Sequence, residues 1–84
     1  MNAFVQTGTS LNIKGDWTEI DSPLATDKNA LVFAMPRISS LGGSAVYNIP
    51  PIGVWYVSPW AVFNEDQSPM PEGAEFNILI LQAR

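Results

Sequence analysis

The sequence of 84 residues carries a net charge of −4 and contains neither Cys nor His, and its length predicts a single β domain over residues 1–84. The missing Cys and His exclude disulfide bonds, Cys- or His-based zinc sites, the most common general base and thiol nucleophiles, so we expect no enzyme and no cofactor or metal. The four basic residues are scattered along the chain, which argues against nucleic-acid binding.

Strand signals recur along the chain, whereas seven Pro and six Gly interrupt any helical pattern. The first strand or two lie in residues 3–13, with a turn near Gly8. Further strands are predicted at residues 16–20, 30–35, 44–49, 52–57, 60–64 and 74–81. Pro36 is expected to end the strand before it, and Ser58-Pro59 is expected to form a tight hairpin. This spacing predicts an all-β fold, a small antiparallel β-sandwich or barrel of about six to eight short strands.

Apolar residues are unusually frequent for such a short chain. Hydrophobic residues make up 46% and charged residues only 14% of the sequence, against about 25% charged in an average soluble domain. Because one small core cannot bury this much apolar surface, we expect a homo-oligomer. No apolar run approaches the roughly 18 residues of a membrane helix, so no membrane span is expected. The opening residues MNAFVQTGTS lack a basic segment followed by an apolar one, which predicts no signal peptide.

Three segments share the pattern Ala-x-aromatic-Asn: AVYN at residues 45–48, AVFN at 61–64 and AEFN at 74–77. In a strand, Ala and the aromatic residue lie on one face and Asn on the other. One interpretation is a repeated packing unit in which each Asn bonds nearby backbone groups. The other is that Asn48, Asn64 and Asn77 line one polar surface and bind a ligand. The unequal spacing excludes three identical sites.

Large aromatic residues in GVWYVSPWAVF indicate a binding surface or an interface. Trp55 and Tyr56 are neighbours and must face opposite sides of their strand. Sugars stack their C–H faces on such rings while amides and carboxylates bond the hydroxyls. The candidate ligand-binding residues are therefore Trp60, Tyr56, Trp55, Asn48, Asn64, Asp66 and Asn77. In the alternative, one ring packs in the core and the other against a partner subunit, as in a self-assembling structural protein without a small-molecule ligand.

The acidic segment NEDQSPMPEG, residues 64–73, is typical of a solvated, Pro-rich turn. Oxygen ligands such as Glu65 and Asp66 also suit calcium, but the spaced Asp/Asn pattern of a calcium loop is missing. The segment LGGSA, residues 41–45, has no following Lys and predicts a turn rather than a phosphate-binding loop.

The ordered motifs WTEIDSPL, NALVF, GG.AVYN, PIGVWY, WAVFNED and MP.GA.FNIL resemble an uncharacterised, mostly bacterial all-β domain family of unknown function. The similarity covers about residues 17–81. Such domains often occur in extracellular proteins and have no established catalytic activity. The resemblance therefore implies an accessory, binding or adhesive module in an extracellular setting.

Overall fold

The computed structural model describes residues 2–37, 48 and 50–82, which form seven strands in two antiparallel sheets. The strands are β1 (Asn2–Thr7), β2 (Ile13–Lys14), β3 (Trp17–Glu19), β4 (Leu31–Arg37), β5 (Ile52–Tyr56), β6 (Trp60–Asn64) and β7 (Glu75–Leu81). Sheet A has the order β1-β7-β4, and sheet B has the order β2-β3-β6-β5. A single 3-10 turn, Pro23–Thr26, joins β3 to β4. The all-β prediction is confirmed, and of the two predicted architectures the fold is the sandwich.

The core lies between the inner faces of the two sheets. Sheet A contributes alternate residues of β7, and sheet B contributes Val62 of β6. The most buried of these side chains are Phe76, Ile78, Ile80 and Val62, each at most 2% exposed. Because successive strand residues point to opposite faces, the residues between them form the outer faces of the sandwich.

The buried side-chain amide of Gln6, a residue of β1, connects sheet A to sheet B. The Gln6 side chain is 2% exposed and donates to the Glu19 carbonyl at 2.9 Å and to Thr18 Oγ1 at 3.2 Å. Its Oε1 accepts the backbone N–H of Asp21 at 3.0 Å. A polar residue is tolerated in this position because each polar atom has a partner.

Pro36 lies inside β4, so the prediction that it ends the strand is wrong. Gly8 N–H donates to the Ala74 carbonyl at 2.8 Å, so even-numbered residues of β7 direct their backbone groups toward β1. Pro36 pairs with one of these, Phe76, and its nitrogen therefore faces away from β7. At that position the missing N–H removes no bond of the sheet.

The remaining strand predictions mostly agree with the structure. The hairpin at Ser58-Pro59 is confirmed, because Tyr56 pairs with Trp60 across it. The strand predicted at residues 44–49 lies outside the described residues except for Asn48, and so does the turn predicted at LGGSA.

Candidate functional site

An aromatic cluster covers the outer face of sheet B. The Trp55 ring packs against Trp17 with centroids 5.4 Å apart and an 80° interplanar angle, and against Phe63 at 5.5 Å and 48°. Trp55 nevertheless remains 43% exposed. We call Trp17, Trp55 and Phe63 the aromatic platform. Two flanking rings fix the orientation of an indole that faces solvent, which is the arrangement a stacking ligand needs.

Two small residues allow these rings to lie close to the sheet. Gly53 pairs with Phe63, and a Cβ added at Gly53 would lie 2.8 Å from Phe63 Cε1 and Cζ. Ala61 pairs with Trp55 and is completely buried. A larger residue at either position would displace a ring of the platform.

Two charged residues flank the platform on the same face. Lys14 pairs with Trp17. Ala61 of β6 lies between Glu19 on β3 and Trp55 on β5, so Glu19 and Trp55 are on the same face, one strand apart from Ala61 on either side. Lys14 is exposed and Glu19 is half-buried. These side chains offer one donor group and one acceptor group beside the rings.

Tyr56 and Trp60 lie on the opposite face of sheet B from Trp55. Their rings are 5.7 Å apart, and both side chains bond the segment at the end of the 3-10 turn, residues 26–27. Tyr56 Oη donates to the Thr26 carbonyl at 3.0 Å, and Trp60 Nε1 donates to the Asp27 carbonyl at 2.9 Å. The prediction that Trp55 and Tyr56 face opposite sides is confirmed. Tyr56 and Trp60 hold this segment against sheet B and are not part of the platform.

The three Asn residues of the repeated motif do not share one surface. Asn64 points inward, is completely buried, accepts a hydrogen bond from Asn48 and donates to the Ser68 carbonyl at 3.1 Å. Asn77 lies on the outer face of sheet A, where its Oδ1 accepts from Arg37 Nη1 at 3.2 Å. The structure therefore supports the packing interpretation for Asn48 and Asn64.

Asp66 lies in an exposed turn and is bonded within it. Its Oδ1 accepts the Ser68 hydroxyl at 2.6 Å and the Ser68 backbone N–H at 2.9 Å. These bonds, the hydroxyl first, lower the pKa of Asp66 below its usual value of 3.8. Among residues 2–37, 48 and 50–82, no group of three carboxylates lies close enough together to hold a metal ion.

Of the seven candidate residues, only Trp55 belongs to the platform. Trp17, Phe63, Gly53, Lys14 and Glu19 were missed. The alternation within WTE and WAVFN already places Trp17 with Glu19, and Ala61 with Phe63, on common faces. The sequence does not show that β3 and β6 are neighbours, and this pairing brings the two faces together.

The outer face of sheet A is a second exposed apolar surface. Phe33 and Met35 of β4 are 55% and 63% exposed. We call this surface the apolar face of sheet A; it consists of Ala3, Val5, Leu31, Phe33, Met35, Leu79 and Leu81. Exposed apolar surfaces of this kind mark interaction sites.

Fold and surfaces together define a small two-sheet β domain with an aromatic platform on one outer face and an apolar face on the other. The chain belongs to the family described as a domain of unknown function, DUF7452, whose model matches residues 1–80. The predicted membership of an uncharacterised domain family is thereby confirmed. No curated protein and no solved structure matches the chain. The part of the chain that the structure describes contains no helix that is long and apolar enough to cross a membrane.

Proposed function

We propose that the domain is a non-catalytic carbohydrate-binding module, lectin-like or adhesive, that acts as a homo-oligomer and binds sugar on the aromatic platform. The observation that carries the proposal is the 43% exposed Trp55 ring, held by Trp17 and Phe63. The C–H face of a sugar ring stacks on such an indole with little loss of side-chain entropy, because the indole is already fixed.

The flanking charges supply the polar part of the site. Glu19 accepts hydrogen bonds from sugar hydroxyls, and Lys14 donates to hydroxyl or carboxylate oxygens. Glu19 lies on β3, the strand that also carries Trp17, and Lys14 lies on β2, which pairs with β3. An apolar contact surrounded by a few placed polar groups is the general composition of a small-ligand site. Binding is preferred to catalysis because the sequence offers neither His nor Cys as base or nucleophile.

The test is a glycan array with labelled protein whose mass in solution is known from light scattering. Selective binding to one sugar class is expected, together with its loss in Trp55→Ala and partial retention in Trp55→Phe, which keeps a ring. Leu11→Ala is the control, because Leu11 is 87% exposed and is not one of the three platform residues. Binding that survives Trp55→Ala would rule out the platform as the site.

The second candidate function is a structural, self-assembling β-protein without a small-molecule ligand. The apolar face of sheet A favours it, since Leu31, Phe33 and Met35 are each more than half exposed. An array without any binding, measured on a confirmed oligomer, would select this function over the first.

A further inference from the structure

We propose that the apolar face of sheet A packs against the same face of a second copy, so that the dimer presents its two aromatic platforms in opposite directions. Such a dimer cross-links two glycan-bearing surfaces and cannot place both sites on one surface. The cross-linking part rests on the proposed function, whereas the dimer part rests on sheet A alone.

The apolar face is continuous across all three strands of sheet A. The register places Leu79 between Ala3 and Phe33 and pairs Leu81 with Leu31. The next row places Asn77 between Val5 and Met35. Apolar side chains thus fill one end of the face, and polar groups are confined to the other.

The area of this face suits a partner of equal size. Val5, Leu31, Phe33 and Met35 are 45–63% exposed. At the usual area of large side chains they present on the order of 400 Å² of apolar surface, about half of the roughly 800 Å² that each partner contributes to a standard interface. Leu79, Leu81 and the polar end of the face supply further area. A second copy offers the matching apolar surface.

The polar end of the face is already paired within the chain. Arg37 Nη1 donates to Asn77 Oδ1 at 3.2 Å, and Arg37 Nε lies 3.8 Å from Glu75 Oε1. Because positive and negative charge lie side by side, this end does not select a strongly charged partner. An identical face related by a two-fold axis along the strands brings apolar end against apolar end and polar end against polar end.

Pairing through the strand edges is less favourable than pairing through the faces. Pro36 directs a nitrogen without hydrogen toward the outer side of β4. At β1 the outward carbonyl of Thr7 already accepts the Asn12 side-chain amide at 3.0 Å. Proline and occupied backbone groups are typical ways of blocking an edge strand.

Face-to-face packing fixes the direction of the platforms. The inner faces of both sheets form the core, so the outer faces of sheets A and B point in opposite directions. Two domains joined through sheet A form four layers in the order B-A-A-B. With about 10 Å between packed sheets, the backbones of the two B sheets lie roughly 30 Å apart, and the platforms on their outer faces lie farther apart and face in opposite directions.

Light scattering tests the dimer. At micromolar concentration the wild-type protein is expected to have twice the chain mass of 9.2 kDa. The single variants Phe33→Glu and Met35→Glu are each expected to have the mass of one chain, with the same circular dichroism spectrum as the wild type. Leu11→Glu introduces the same charge at another exposed apolar residue and should remain dimeric. A monomeric wild type overturns the interface. An oligomer that survives both face variants places the contact elsewhere and overturns it as well.

Distance measurement tests the direction of the platforms. The chain has no Cys, so a spin label on Lys14→Cys is unique and lies beside the platform. Electron–electron resonance should give an intermolecular distance of about 30 Å or more. A much shorter distance would show that sheet B forms the contact and would overturn the inference.

Cross-linking is tested with beads coated with the glycan that gives the strongest array signal. Wild-type dimer should aggregate the beads, whereas Phe33→Glu should bind them without aggregation. A confirmed dimer that binds but does not aggregate beads overturns the cross-linking. A blank array rejects the proposed function and the cross-linking together, while the distance measurement still decides the dimer.

Discussion

The ring of Phe63 lies directly over the backbone of Gly53, so close that a Cβ there would approach Phe63 Cε1 and Cζ to 2.8 Å. The two residues are paired across β5 and β6. Phe63 in turn supports Trp55 at 5.5 Å. The orientation of the exposed Trp55 indole therefore depends on Gly53, through the ring of Phe63.

Gly53→Ala is expected to displace the Phe63 ring and to lower the free energy of unfolding by about 1–3 kcal/mol, the usual cost of overpacking. Urea denaturation measures this loss. The double variant Gly53→Ala/Phe63→Leu should be less destabilised than the sum of its single changes, because the shorter side chain leaves room for the methyl group. Strict additivity would show that the ring and the glycine are not coupled.

Asn64→Ala is expected to cost about 1–3 kcal/mol, because it removes buried bonds and leaves groups of Asn48 and Ser68 without their partner. Asn77 occupies the same place in its motif but is exposed. Asn77→Ala should therefore change the free energy of unfolding by no more than about 0.5 kcal/mol. Chemical denaturation of both variants compares them. Equal losses would contradict the different roles that the structure gives these two Asn residues.

Ser68→Ala should raise the pKa of Asp66 toward its usual value of 3.8, because the hydroxyl bond is the largest cause of the lowered pKa. A lowered folded-state pKa contributes stability that is fully present above 3.8 and is lost as the pH falls through the folded value. As the pH falls through this range, the Ser68→Ala variant should therefore lose less stability than the wild type. NMR titration of the Asp66 carboxyl carbon in the wild type and in Ser68→Ala measures the shift of the pKa. An unchanged Asp66 pKa would show that the hydroxyl bond is not formed in solution.

If the proposed dimer forms, iodide quenching of tryptophan fluorescence should be the same in the wild-type dimer and in the Phe33→Glu monomer. All three Trp residues, Trp17, Trp55 and Trp60, belong to sheet B, so packing through sheet A covers none of them. An increase in quenching on dissociation would indicate that sheet B takes part in the contact. The Leu11→Glu variant shows how much an added negative charge alone changes the iodide quenching.

The strands were predictable because β-branched and aromatic runs alternate with Pro and Gly, and β6 and β7 follow WAVFN and AEFNILIL closely. The position of Pro36 inside β4 was not predictable, because it depends on which strand β4 pairs with. The continuous apolar run ALVFAM concealed an alternation of exposed and half-buried residues in β4. Trp55 was found because it lies beside Tyr56 in an aromatic-rich strand, whereas Trp17 and Phe63 join it only through the pairing of β3, β6 and β5.

The closed core between the sheets has an evolutionary consequence. No residue of the apolar face contacts the aromatic platform, since Phe76, Ile78, Ile80 and Val62 fill the space between the two outer faces. Substitutions around Trp55 can therefore alter the aromatic platform while the apolar face of sheet A is inherited intact, and substitutions around Phe33 can alter the apolar face while the platform is kept. Selection can act on the two surfaces of this small domain separately.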